Sequence, residues 1–121
     1  MDNRVLVVDD EEHVRKLYMN ALSRKGYEVD TAADGEEALT IIKQRDINAV
    51  ILDIELEEES GLELLKRFKS VRPELPIILN TAYSVYMSDF KTWVADAYIV
   101  KSSDMQPLID KLDELMGIPQ E

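Results

Sequence analysis

Val5-Leu6-Val7-Val8-Asp9-Asp10 opens the chain with four β-branched or apolar residues running directly into two carboxylates. The run has no polar alternation, as expected of a strand buried on both faces of a sheet. The same grammar recurs downstream. Ala49-Val50-Ile51-Leu52 runs into Asp53, Pro76-Ile77-Ile78-Leu79 into Asn80-Thr81, and Ala97-Tyr98-Ile99-Val100 into Lys101. Tyr27 to Ala32 reads as a weaker, more exposed strand.

Helical patterns separate these runs. Val14, Leu17, Tyr18, Ala21 and Leu22 recur at helical spacing, and Lys25-Gly26 ends that helix through a glycine able to take the left-handed conformation. Asp34-Gly35-Glu36-Glu37 and Ser60-Gly61-Leu62-Glu63 both have the form of a capping box. The first precedes a stripe of Ala38, Leu39 and Ile42; the second precedes Leu64, Leu65, Phe68 and Val71, which Arg72-Pro73 stops. Ser103-Asp104-Met105-Gln106 is read as the cap of a last helix carrying Leu108, Ile109, Leu112, Leu115 and Met116, punctuated by Gly117 and Pro119. Residues 83–93 carry the least well specified helix. Ser84 has no acidic partner three residues on, Tyr86, Thr92, Trp93 and Val94 are mediocre helix formers, and the segment is expected to be short or distorted.

Five strand–helix units imply a parallel sheet with helices on both faces. The expected architecture is α/β: a flavodoxin-like, doubly wound five-stranded sheet in the order 2-1-3-4-5 with five helices, whose crevice lies at the carboxyl ends of strands 1 and 3. The 121 residues suffice for one core, so residues 1–121 are expected to form a single domain.

Composition narrows the function. The formal net charge of −11 repels phosphate backbones, which disfavours direct nucleic-acid binding and suits a hard cation or a basic partner. The chain has no cysteine, so disulfides, thiol nucleophiles and thiolate zinc sites are excluded. No apolar run approaches the roughly 18 residues of a membrane span, and the N-terminal run is too short for a signal peptide. These absences predict a cytoplasmic protein.

In a parallel sheet the ends of strands 1, 3, 4 and 5 share one edge. Asp9, Asp10, Asp53, Thr81 and Lys101 therefore converge on one crevice. A lone Asp after a strand is ordinarily a helix cap, a lone Thr a turn residue and a lone Lys a solvated surface group; complementary groups on four strand ends are harder to reach by chance. Crowded carboxylates repel unless a cation joins them, and oxygen ligands suit Mg²⁺. Lys101 would face an incoming phosphate as a point charge, Thr81 could donate to a phosphoryl oxygen, and an Asp carboxylate in such a place can attack phosphorus.

With Val7-Val8-Asp9-Asp10-Glu11, Asp53 followed by Gly61, Thr81-Ala82, and Ala95 through Tyr98 to Lys101, the sequence resembles the response-regulator receiver family of two-component signalling over nearly its whole length. The resemblance implies that Asp53 is the phosphoacceptor and that Asp10 binds Mg²⁺ directly while Asp9 acts largely through water. It makes the Glu55 backbone carbonyl a further ligand, Lys101 the phosphoryl contact, Thr81 the switch hydroxyl and Tyr98 the aromatic that changes rotamer. The donor would be a phosphohistidine on a sensor histidine kinase or a phosphotransfer protein, and the output a further domain or a target protein. Such a domain catalyses only its own phosphorylation and dephosphorylation and is not otherwise an enzyme.

Departures from the family pattern are Glu57 and Ser102 where prolines are usual, Val94 at a usual glycine, and a slightly short stretch from Thr81 to Val94. A cis bond before Ser102 would cost about 2.5–4 kcal/mol, so Lys101-Ser102 is expected to be trans. Three rivals fare worse. A haloacid-dehalogenase-like phosphatase resembles Asp-x-Asp after the first strand, whereas here Asp53-Ile54-Glu55 follows the third. A degenerate receiver that only binds partners would not need the full set of acids, Thr81 and Lys101. A flavodoxin would need a phosphate cradle where Asp9-Asp10-Glu11-Glu12 would repel phosphate. His13 and the Glu57-Glu58-Glu59 run read as solvated, and Phe90 and Trp93 as packing against the sheet. Glu55 and Tyr83, two places after Asp53 and Thr81, are as readily tuners of phosphoryl lifetime as plain exposed residues.

Overall fold

The computed structural model describes residues 3–53, 60–82 and 95–118. The strands are β1 (Arg4–Val8), β2 (Glu28–Ala32), β3 (Ala49–Leu52), β4 (Ile77–Thr81) and β5 (Ala97–Val100). The described helices are α1 (Glu12–Arg24), α2 (Gly35–Gln44), α3 (Gly61–Val71) and α4 (Gln106–Met116). The strands pair in parallel in the order β2-β1-β3-β4-β5, the doubly wound order expected from the alternating pattern. The helix expected over residues 83–93 lies outside the described residues.

Side chains alternate across a strand, and each central strand feeds two cores. Leu6, Val8, Val50, Leu52, Ile77 and Leu79 pack on one face against Ala38, Leu39 and Ile42 of α2 and Leu64, Leu65 and Phe68 of α3. Val5, Val7, Ala49, Ile51 and Ile78 pack on the other against Tyr18 and Leu22 of α1 and Leu108, Ile109 and Leu112 of α4. Burying each valine, leucine, isoleucine or phenylalanine among them stabilises by roughly 1.5–3 kcal/mol. β2 and β5 are the sheet edges and are only partly buried, as the weaker pattern of Tyr27 to Ala32 indicates for the former. Two residues of the expected helical stripes face solvent: Leu17 is 56% exposed and Val71 40%.

The helix ends follow local chemistry. Asp34 accepts a hydrogen bond from the Glu37 amide at 2.9 Å, and Glu37 reaches back to the Ala33 amide at 2.7 Å. Ser60 accepts from the Glu63 amide at 3.4 Å. α1 and α4 end alike. Gly26 (φ 95°) and Gly117 (φ 71°) take left-handed backbone. Tyr27 donates to the Leu22 carbonyl and Ile118 to the Asp113 carbonyl, the long bond of the Schellman motif. The start of α4 differs from expectation. Its N-cap position is Met105, which supplies no side-chain bond; Asp104 instead accepts from the Gln106 amide at 2.9 Å, while Ser102 accepts from the Asp104 amide. No peptide bond among the described residues is cis, so Lys101-Ser102 is trans as the sequence predicts.

Candidate functional site

The register aligns the strand ends. Val8 pairs with Leu52, so Asp9 and Asp53 leave the sheet side by side, and the Asp53 amide donates to the Val8 carbonyl at 3.1 Å. Thr81 pairs with Val100, and the Lys101 amide donates to the Thr81 carbonyl at 2.6 Å. The ladder thus runs one step past β3 and β5 and fixes the backbone of both residues. Thr81 is the last residue of β4 rather than a residue following it, and it is fully buried.

Lys101 Nζ donates to Asp9 Oδ2 at 2.8 Å and to Asp53 Oδ2 at 3.2 Å. Both carboxylates are almost fully buried, Asp9 at 2% exposure and Asp53 at 6%, whereas Asp10 is part-exposed. Burial alone would lower the Lys101 pKa. The hydrogen bond and charge of Asp9, with the charge and hydrogen bond of Asp53, outweigh it and hold the ammonium above its ordinary value. Asp9 is fixed further: its Oδ1 accepts from the Glu11 amide at 3.0 Å, and its carbonyl accepts from Arg15 at 2.7 Å. One carboxylate oxygen from each of Asp9, Asp10 and Asp53 lies within 4.8 Å of the other two. Three carboxylates against one ammonium leave the cluster negative, and an all-oxygen donor set of this kind fits a hard divalent cation such as Mg²⁺. Glu55 lies outside the described residues, as do Glu57, Glu58, Glu59, Tyr83, Phe90, Trp93 and Val94. His13 stays at the surface, 3.1 Å from Glu11, away from this cluster.

Strand alternation sorts the remaining groups. Thr81 belongs to the sheet face of Leu79, where half-buried Tyr98 packs against the core shared with α2 and α3. Burial raises the Tyr98 phenol pKa. The opposite face holds two polar groups that sequence patterning assigned to an apolar stripe and a strand end. The Tyr18 hydroxyl donates to Asn80 Oδ1, and Asn80 Nδ2 donates to the Ile99 carbonyl at 2.9 Å. The Tyr18 pKa is raised, first by burial; Lys101 pulls it down and Asp9 and Asp53 push it up, so the phenol stands within the field of the acidic cluster. The available signal for this pair was an amide placed between the buried run Ile77–Leu79 and Thr81.

Residues 5–113 match the family of response regulator receiver domains. The chain belongs to that family. Its receiver fold is similar to that of TrrA from Thermotoga maritima, determined in complex with Mg²⁺-BeF, at 45% identity and a TM-score of 0.89, covering 93% of this chain and 98% of that one. TrrA has also been determined in complex with the histidine kinase ThkA; that structure matches with the same identity and TM-score. Among curated relatives, the regulatory protein AtoC of Escherichia coli is 32% identical over 108 residues, covering 88% of this chain and 23% of AtoC. Response regulator MprA of Mycobacterium is 42% identical over 82 residues, covering 68% of this chain and 36% of MprA. The receiver domain thus spans well under half the length of these relatives. Among the described residues no helix is long and apolar enough to cross a membrane.

Proposed function

We propose that this receiver domain accepts a phosphoryl group on Asp53 from a phosphohistidine donor and signals through the Thr81–Tyr98 side of its sheet. The observation that carries this reading is the Lys101 ammonium held 3.2 Å from an almost fully buried Asp53 carboxylate. In the transfer an Asp53 oxygen forms a bond to phosphorus as the bond from phosphorus to the donor imidazole nitrogen breaks. The electron pair leaves on that nitrogen, and the other imidazole nitrogen keeps its proton, so the donor departs as a neutral histidine. Lys101 is within reach of a phosphoryl group on Asp53 and offsets its charge, so catalysis here is positioning and electrostatics. Asp10 and Asp53, with the Glu55 carbonyl and with Asp9 acting largely through water, would hold Mg²⁺. When bound, the metal supplies further positive charge against the phosphoryl oxygens. Hydrolysis reverses the state: water attacks phosphorus and the Asp53 carboxylate leaves.

In the switch we assign, the Thr81 hydroxyl donates to a phosphoryl oxygen and Tyr98 responds by changing rotamer. Residues 1–121 act as one receiver unit in the cytoplasm, taking phosphate from a sensor histidine kinase or phosphotransfer protein and acting on an output domain or a target protein, without direct contact to nucleic acid. The relation of TrrA to ThkA supports a kinase as donor. Incubation with Mg²⁺ and a small acyl-phosphate donor tests the reading. One base-labile phosphoryl group per chain is expected, absent in Asp53→Asn; undiminished labelling of that variant contradicts it.

A further inference from the structure

Tyr18 and Asn80 are a buried polar pair where an apolar layer meets the acidic cluster. Tyr18 shares its core cluster with Val5, Val7, Ala49, Ile51 and Ile78, and both members of the pair are buried, Tyr18 at 5% exposure and Asn80 at 3%. A phenol and an amide in such a layer are unfavourable unless hydrogen-bonded, and a leucine at either position would carry no such penalty. Here the bonds form a chain: the Tyr18 hydroxyl to Asn80 Oδ1, then Asn80 Nδ2 to the Ile99 carbonyl at 2.9 Å. That chain ties α1 through β4 to β5. Asn80 adjoins Thr81, and Ile99 stands two residues before Lys101. Among the described residues β5 is an edge strand paired with β4 alone, and no proline follows Lys101 to restrict the backbone there.

We propose that Tyr18 and Asn80 are positioning residues for phosphoryl transfer: the phenol fixes the amide, the amide holds the Ile99 carbonyl, and together they set where the end of β5 presents Lys101 to Asp53. This rests on the reading of Asp53 as phosphoacceptor. Small misplacements of a charge-stabilising group lower rate rather than binding.

The test compares Tyr18→Phe, Asn80→Leu and the double variant, with Mg²⁺ and a small acyl-phosphate donor, following both phosphorylation rate and thermal midpoint. Tyr18→Phe leaves the buried Asn80 oxygen without its phenol donor, so its midpoint falls. Its maximal rate is expected to drop about tenfold with the half-saturating donor concentration unchanged. The double variant removes the stranded amide oxygen but leaves the Ile99 carbonyl without its Asn80 donor, so its midpoint recovers only in part, and it remains about tenfold slow because nothing aims that carbonyl. A double variant, or a folded Tyr18→Phe, that phosphorylates at the unmodified rate overturns the proposal. Failure of the unmodified chain to take up phosphate overturns the Asp53 reading and this proposal together.

Discussion

Lys101 and Asp9 are joined by a 2.8 Å ion pair across ninety-two residues of sequence, at the mouth of a parallel sheet. The ammonium therefore occupies the same carboxylates that a divalent cation would use. Removing it has two opposed consequences. Lys101→Met leaves Asp9 and Asp53 without their counter-charge, so Mg²⁺ affinity is expected to stay equal or rise. Phosphorylation, which needs the ammonium on the phosphoryl oxygens, is expected to fall about a hundredfold. Isothermal titration and a labelling time course separate the two. A parallel loss of both would mean that Lys101 only supports the fold of the site.

Asp9 and Asp10 differ in burial. Asp9 is buried and engaged by Lys101 and the Glu11 amide, whereas Asp10 is part-exposed. Asp10→Ala is therefore expected to weaken Mg²⁺ binding more than Asp9→Ala, by about 1 kcal/mol or more, the scale of a lost charged contact. Isothermal titration with Mg²⁺ measures it. Equal losses would contradict the division of roles.

How far the sequence discloses this arrangement depends on whether a residue's neighbours are local or distant. Strand ends were legible because apolar runs such as Val5–Val8 stop abruptly at charge, and parallel topology then forces Asp9, Asp53, Thr81 and Lys101 onto one edge. Asp34 and Ser60 were legible as caps because capping is settled within four residues. The Tyr18–Asn80 bond joins positions sixty-two residues apart, and in periodicity Tyr18 looks like any core aromatic. Leu17 falls on the helical stripe of α1, yet it lies at the border of the buried arc, and only packing determines which side of that border it takes. The start of α4 was less legible because Ser103 and Asp104 are both competent caps; the N-cap position falls at Met105, and Asp104 accepts from the Gln106 amide one residue before it.

The Tyr27 hydroxyl donates to Asp113 at 2.5 Å, pinning the end of α1 to α4, and burial followed by that carboxylate pushes the Tyr27 pKa well up. A raised folded-state pKa means that the unfolded chain loses its proton first. The contribution is present in full below about pH 10, the ordinary tyrosine value, and is lost as pH rises beyond it, by about 1.4 kcal/mol per pH unit. Tyr27→Phe is expected to lower stability at neutral pH and to flatten the alkaline decline. Denaturant titrations between neutrality and high pH check this. An unchanged alkaline slope in the variant would show that Tyr27 does not titrate differently on folding.

The central claim is that the phosphoryl group resides on Asp53, and the most direct measurement is chemical trapping of the acyl phosphate. Borohydride reduces an aspartyl phosphate to homoserine at the modified position, and peptide sequencing then locates it. After incubation with Mg²⁺ and an acyl-phosphate donor, homoserine is expected at position 53 alone. Homoserine at position 9 or 10, or none anywhere while the chain carries phosphate, would contradict the account.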